Sequence, residues 1–201
     1  IWPMDCFLIL FGKVKYLILF VLLFFSQTIH CAKKGAEPVK IIGDVGQVAL
    51  PLLAGSMTVV YRDWHGTLEF AKSFGLAMGV TYILKPMVNE DRPISSENRR
   101  VGRSAGNMSF PSGHTAAAFA GAAFLQMRYG WGFGIPCYLM AGYVGFSRVY
   151  SQKHWFMDVL GGASIALAAN VLFTTRYSKR NYTIEPIIEE DRRGISLKWD
   201  L

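Results

Sequence analysis

Six stretches of this sequence are nearly free of Asp, Glu, Lys and Arg, and each has the length of a membrane-spanning helix. A helix needs about 20 mostly apolar residues, and at least about 17, to cross the hydrocarbon core of a bilayer. Backbone polar groups in lipid must be paired internally, and a helix pairs them within one segment. We therefore predict an all-α, polytopic membrane bundle of about six transmembrane helices. The windows are residues 16–32, 45–61, 67–84, 112–128, 129–147 and 159–175.

The composition favours a membrane protein over a soluble one. Of the 201 residues, 52% are hydrophobic and 17% are charged, whereas soluble domains carry about 25% charged residues. The net charge of +7 does not indicate nucleic-acid binding, because the basic residues form no stripe interleaved with aromatic side chains. Anionic lipid headgroups or a phosphate-bearing substrate explain the positive charge better.

The windows divide the chain into three segments. Residues 1–32 fit a cleaved signal peptide or a retained anchor helix, and His30, two residues before Ala32, disfavours cleavage. Residues 41–176 form the membrane-embedded domain. The tail, residues 177–201, has two alternating stretches around a charged run, which is typical of a short hairpin or of a disordered extension.

Helices that cross in alternation bring three polar clusters to the same membrane face. Both interpretations of the first window put the segment after it outside the cytoplasm, so this face is the outer one. The basic residues Lys13, Lys15, Arg176, Lys179 and Arg180 lie on the other side, in keeping with the positive-inside rule. We expect an integral protein of a bacterial-type inner membrane, with its active site facing the periplasm or the outside.

The first cluster consists of Lys85 and Arg92, which follow the third window. Pro86 and Pro93 stiffen the chain at this point. Lys supplies a compact charge, and Arg a planar fork that binds phosphate oxygens through two hydrogen bonds. Taken alone, the pair is better explained by long cationic side chains that reach from a helix end to the interface.

The second cluster, Ser109-Phe110-Pro111-Ser112-Gly113-His114, leads into the fourth window. Ser112 is a suitable N-cap, and Gly113 has no side chain to keep an anion from the free amides of the helix start. His114 is placed to donate a proton to a leaving oxygen. A lone His here would more often be a hydrogen-bonded structural residue.

The third cluster runs from Ser147 and Arg148 to His154 and Asp158. The last two are four residues apart, which predicts that they share one face of the sixth helix. A carboxylate bonded to one ring nitrogen leaves the other free to attack. The alternative is a His–Asp pair that caps the helix. All three clusters on one face favour a phosphate site, because grouped cations without an anionic partner are costly.

Small residues recur every fourth position in two windows, a spacing that lets membrane helices approach closely. We expect close packing along both faces, although an ordinary Ala-rich helix has the same composition. The residues are Gly113, Ala117 and Gly121 in the fourth window, and Asp158, Gly162 and Ala166 around the sixth.

The sequence gives no sign of a metal or nucleotide cofactor. Its four His residues include no His-x-x-x-His pair, and it has no two-carboxylate metal pattern and no Gly-rich Walker loop. The three cysteines, Cys6, Cys31 and Cys137, have no close pairing and are interpreted as packing residues or free thiols. We therefore expect chemistry without a cofactor.

The three clusters together resemble the signature of the type-2 phosphatidic acid phosphatase superfamily, which also contains class A acid phosphatases and vanadium haloperoxidases. The pattern is Lys, six residues, Arg-Pro; then Pro-Ser-Gly-His; then Ser-Arg, five residues, His, three residues, Asp. Every fixed position is present in order from Lys85 to Asp158. The resemblance extends from the second or third window through the sixth, and not into the tail.

The resemblance implies an all-helical, metal-independent phosphatase and a role for each matching residue. His154 is expected to be the nucleophile that forms phosphohistidine, and Asp158 its orienting partner. His114 is expected to be the general acid and then the base for water. The expected phosphate-binding residues are Lys85, Arg92, Ser112, Gly113 and Arg148.

The expected activity is hydrolysis of a phosphomonoester or diphosphate lipid at the membrane, and undecaprenyl diphosphate, phosphatidylglycerol phosphate, phosphatidic acid and lipid A are all candidates. One alternative is a vanadium-dependent haloperoxidase, although such enzymes are usually larger and soluble. Another is a non-catalytic lipid-binding or transport protein on the same scaffold. The sequence does not indicate an oligomeric state.

Overall fold

The structure, a computed structural model, describes residues 38–93, 108–178, 182–189 and 192–199. These residues form five α-helices followed by a two-stranded antiparallel hairpin. The elements are α1 (Pro38–Val60), α2 (Trp64–Val88), α3 (Gly113–Tyr129), α4 (Trp131–Tyr150), α5 (Phe156–Phe173), β1 (Tyr182–Glu189) and β2 (Arg192–Trp199).

The five helices overlap the second to sixth apolar windows, so the prediction of a helical bundle is confirmed. α1 begins before its window because its first two turns include the charged residues Lys40 and Asp44. The first window, 16–32, lies outside the described residues. By length and composition, α1 and α5 are the described helices that meet the requirements for crossing a membrane.

The C-terminal tail forms the hairpin, which was one of the two structures that its sequence pattern allowed. β1 and β2 pair from Tyr182 opposite Trp199 to Glu189 opposite Arg192. The division of the chain at residues 32, 41 and 176 stays a prediction.

α3 lies at the centre of the bundle and packs against each of the four other helices. Its side chains are mostly small, and the alanines at positions 116, 118, 120, 122 and 123 are fully buried. Helices in lipid gain little from apolar burial against one another, so close backbone approach is the main source of their association. An Ala-rich helix allows that approach on every side, which explains why α3 is central.

Two glycines mark close approaches to a neighbouring backbone, as the small-residue spacing predicts. A Cβ atom at Gly121 of α3 would lie 2.7 Å from the backbone carbonyl carbon of Leu50 in α1. A Cβ atom at Gly162 of α5 would lie 2.5 Å from the backbone oxygen of Ser112, just before α3. Close packing on both faces is therefore confirmed. Cys137 is a buried free thiol, as expected.

A buried ion-pair cluster closes the end of the bundle where α3 ends. Arg128 donates to Asp63 at 2.6 and 2.7 Å, to Glu69 at 3.0 Å and to the backbone oxygen of Thr175 at 2.9 Å. Asp63 also caps α2 by accepting from the amide of Gly66. Burial opposes ionisation of Asp63, but hydrogen bonds from Arg128 and Gly66 hold its pKa below the usual value. The cluster thereby joins three helix ends.

Gly121→Ala should lower the thermal stability of the detergent-solubilised protein by about 1–3 kcal/mol, the usual cost of overpacking. The added methyl group would force α1 away from α3. Gly75→Ala is the matched control, because nothing lies within 4 Å of a Cβ there and Ala is the better helix former. Equal melting temperatures for the two variants would show that the α1–α3 contact is not tight.

Arg128→Met should destabilise the protein by about 3–5 kcal/mol, because it leaves two buried carboxylates without a counter-charge. Thermal unfolding followed by circular dichroism measures the loss. Lys72→Met is the control, since Lys72 is an exposed cation on α2. A melting temperature as high as that of the control would contradict a stabilising role for this cluster.

Candidate active site

His154 and Asp158 meet at the opposite end of the bundle, where α5 begins. His154 Nδ1 lies 3.3 Å from Asp158 Oδ2, and both side chains are buried. The prediction that both residues lie on one helix face is wrong for His154, because α5 begins at Phe156. The backbone of Trp155 is extended, and its N–H donates to Asp158 Oδ2 at 2.8 Å. Asp158 therefore caps its own helix and also contacts the imidazole that precedes it.

Ser109 completes the set of groups around the Asp158 carboxylate. Its hydroxyl donates to Asp158 Oδ2 at 2.5 Å and lies 3.4 Å from His154 Nδ1. Both Ser109 and Asp158 are fully buried. When Nδ1 of His154 is the protonated nitrogen and its N–H points at the carboxylate, Nε2 keeps its lone pair. The arrangement thus fixes which ring nitrogen is available for reaction.

The surroundings of His154 favour the neutral imidazole. Burial lowers its pKa from the ordinary 6.5 to about 4, and the positive charges of Arg92 and Lys85 act in the same direction. Asp158 opposes the shift without cancelling it. The ring is therefore unprotonated at neutral pH, as a nucleophile must be.

Lys85 and Arg92 bring positive charge to this end of the bundle. Lys85 Nζ donates to the backbone oxygens of Pro111 at 2.8 Å and Met108 at 3.1 Å, which ties the end of α2 to the segment before α3. Lys85 also interacts electrostatically with Asp158. Arg92 acts on both candidate histidines, and its buried Nε atom has no partner among the described residues. An incoming anion could accept that hydrogen bond.

The start of α3 lies beside Asp158 and Lys85. Ser112 is the N-cap, as predicted, and its Oγ accepts from the amide and the hydroxyl of Thr115 at 3.5 and 3.0 Å. Its own amide donates to the backbone oxygen of Asp158 at 2.9 Å, which joins α3 to α5. A Cβ at Gly113 would lie 3.9 Å from Lys85 Cε. The first amides of the helix, which have no intrahelical acceptor, therefore open beside a cation.

Arg148 and His114 meet a carboxylate of α1. Arg148 is buried at the end of α4, and its Nη1 donates to Asp44 Oδ1 at 2.6 Å. The same oxygen lies 3.4 Å from Nε2 of His114, the second residue of α3. Three helices thus contribute to one polar contact.

The structure brings all eight predicted site residues to one end of the bundle, the end opposite Arg128. Two further residues lie among them. Ser109 directly precedes the Phe-Pro-Ser-Gly-His segment, but its sequence offers no sign that its hydroxyl faces Asp158. Asp44 did carry a signal, because an acidic residue in the first turns of a membrane helix is a functional candidate by default.

Residues 66–182 match the family model of the PAP2 superfamily, over more than half of the chain. The chain belongs to the PAP2 superfamily. The matched region contains every residue of the three clusters, so the family resemblance is confirmed. PAP2 membership also agrees with a membrane-embedded helical bundle.

Several known proteins are similar to this chain along most of its length. The lipid A 4'-phosphatase of Helicobacter pylori is 33% identical over 190 residues, which cover 92% of this chain and 94% of that protein. The lipid A 1-phosphatase of Porphyromonas gingivalis is 30% identical over 141 residues, or 68% of this chain and 28% of that protein. A transmembrane PAP2-type phosphatidylglycerolphosphate phosphatase from Bacillus subtilis has the same fold, with a TM-score of 0.52 and 23% identity over 77% of this chain and 92% of its own.

The His154 ring should remain neutral well below pH 6.5 because it is buried beside Lys85 and Arg92. Imidazole resonances of the solubilised protein, assigned with His154→Gln, would give its titration directly. We expect the His154 imidazole to titrate with a midpoint near pH 4. Because the positive charges of its neighbours are fixed, we expect no second titration step of this ring near neutral pH. A midpoint at or above pH 6.5 would contradict the electrostatic description of this site.

Proposed function

We propose that this PAP2 protein is a membrane lipid phosphatase that hydrolyses a phosphomonoester or diphosphate lipid through a phosphohistidine intermediate on His154. The observation that carries the proposal is the neutral His154 ring, oriented by Asp158 and Ser109 near Lys85 and Arg92. A site that only binds lipid phosphate has no need of an oriented, unprotonated nucleophile.

In the first step, the lone pair on Nε2 of His154 attacks phosphorus and a P–N bond forms. The bond from phosphorus to the leaving oxygen breaks, and His114 gives its proton to that oxygen, so the lipid leaves as an alcohol or, from a diphosphate, as a monophosphate. The proton on Nδ1 of His154 stays hydrogen-bonded to Asp158. The carboxylate thereby stabilises the positive charge that the ring gains.

In the second step, water attacks the phosphohistidine. The neutral His114 takes a proton from the water, a new P–O bond forms and the P–N bond breaks. Inorganic phosphate leaves, and both histidines regain their starting protonation states. The same residue serves as acid and then as base, as microscopic reversibility requires of a double displacement.

The cations of the site are proposed to hold the transferred phosphoryl group. Lys85, Arg92 and Arg148 face the charge that spreads over its oxygens in the transition state. The Nε of Arg92, which has no partner among residues 38–93 and 108–178, adds a donor, and so does the open helix start at Ser112 and Gly113. Preorganised donors of this kind are worth more in a buried site than in water.

The chemistry is proposed to need no metal ion, because every step has a protein group to perform it. Among residues 38–93 and 108–178, no three His, Cys, Asp or Glu side chains group as metal ligands. The cationic side chains supply the charge stabilisation that a metal gives in other phosphoryl-transfer sites.

Lipid A is the substrate class that we propose first, because the relatives that match 92% and 68% of this chain are named lipid A phosphatases. A phosphorylated glycolipid of this kind would present its phosphate at the membrane surface. We propose that the chain lies in a bacterial inner membrane and that the site faces the periplasm, in keeping with the alternation of helices from Lys13 onward.

Purified protein should release inorganic phosphate from lipid A in the presence of excess chelator. His154→Ala should reduce the rate by at least about 1,000-fold, as expected when a nucleophile is removed. His65→Ala is the matched control, because His65 is an exposed histidine on α2, paired with Glu69 at the other end of the bundle. Full activity in His154→Ala would refute the mechanism, and loss of wild-type activity with chelator would refute its independence from metal.

A further inference from the structure

Asp44 is an acidic residue of α1 that lies outside the three sequence clusters and yet contacts two members of the site. Its Oδ1 atom accepts from Arg148 Nη1 at 2.6 Å and lies 3.4 Å from His114 Nε2. The Arg148 side chain is 3% exposed, while those of His114 and Asp44 are 36% and 40% exposed. One carboxylate oxygen thus links a buried cation to a solvent-accessible histidine.

α1 is built to hold Arg148 at this position. Arg148 Nη2 donates to the backbone oxygen of Lys40 at 3.1 Å, and its Nε donates to Ser147 Oγ at 3.1 Å. A Cβ at Gly43 would overlap Ser147 Oγ and lie 2.8 Å from Arg148 Nη2, so the absence of a side chain lets α1 come this close. A guanidinium has five N–H donors, and these contacts use three of them. The other two donors have no partner among residues 38–93 and 108–178, so they remain for a phosphate.

The contact with His114 has a chemical consequence. An alkoxide is a poor leaving group, so the acid that protonates it must be charged and correctly aimed when the P–O bond breaks. Burial disfavours the charged form of His114, and the positive charges of Arg148 and Arg92 act in the same direction. The Asp44 carboxylate against one ring nitrogen opposes these effects without cancelling them. It also fixes the ring, leaving the other nitrogen to transfer the proton.

We propose that Asp44 is a positioning residue that holds the His114 ring against the Arg148 guanidinium, so that His114 protonates the leaving oxygen of a phosphate bound by Arg148. This assignment rests on the proposed phosphatase function, because it requires His114 to act as the acid. It adds to the site a residue from a helix that none of the three motifs includes.

The competing interpretation is that Asp44 occupies the place of the phosphate and must be displaced by it. The geometry favours positioning. The backbone oxygen of Lys40, in the same helix, accepts from the same guanidinium, and two donors of that group have no partner in the described part of the chain. The two interpretations predict opposite effects of removing the charge. Positioning predicts slower protonation of the leaving group, whereas displacement predicts tighter anion binding.

The test is the effect of Asp44→Asn on kcat/KM for dodecyl phosphate and for 4-nitrophenyl phosphate. This parameter covers only the steps up to departure of the alcohol, and 4-nitrophenolate departs without a proton. We expect a loss of about 100-fold on the alkyl substrate, the range of one general acid, and less than about 5-fold on the aryl substrate. Asp44→Glu should recover part of the alkyl activity, and Asp44→Asn added to His114→Ala should cost nothing more.

Asp91→Asn, which alters an exposed carboxylate near the same end, is the control and should leave both values unchanged. Equal losses on the two substrates, or no loss on either, would overturn the assignment. A 10-fold or greater tightening of inhibition by orthovanadate in Asp44→Asn would establish displacement in its place. Wild-type protein inactive on both substrates would refute the proposed function itself, and the role of Asp44 with it.

Discussion

Close packing of α3 against four other helices is the constraint on which the rest of the structure depends. Its alanines and glycines leave the neighbouring backbones almost in contact, as at Gly121 and Leu50. Because α3 is contacted on all sides, each of its ends lies beside the ends of the other helices. Polar residues at those ends are therefore brought together without long loops, and the site is positioned by helix packing.

The two ends of the bundle differ in charge balance, and the difference indicates their roles. At one end the single cation Arg128 donates to two carboxylates, Asp63 and Glu69, and to the backbone oxygen of Thr175, so it has its partners without a ligand. The other end groups three cations with two carboxylates, Asp44 and Asp158, and the buried Nε of Arg92 has no partner within the part of the chain described. An unbalanced group of cations close to a neutral imidazole is suited to an anionic substrate.

The helices and the motif residues could be predicted because both appear as patterns along the sequence. Apolar windows give the helices, and alternation of crossings gives the shared end, so Lys85 and His154 could be expected to meet. Contacts between side chains of different helices have no such pattern in the sequence. The bond from Ser109 to Asp158 joins residues 49 positions apart, and Asp44 reaches Arg148 across 104. The spacing alone predicts that His154 lies on the helix, because it does not reveal that Asp158 caps α5 through Trp155.

The central claim is that a phosphoryl group passes through His154, and trapping the intermediate tests it most directly. Wild-type protein would be mixed with lipid phosphate carrying ³²P, quenched in base within one turnover and digested. The account predicts an acid-labile, base-stable label on the peptide that contains His154. Label on another residue, or turnover at full rate with no protein-bound label at any time, would contradict it.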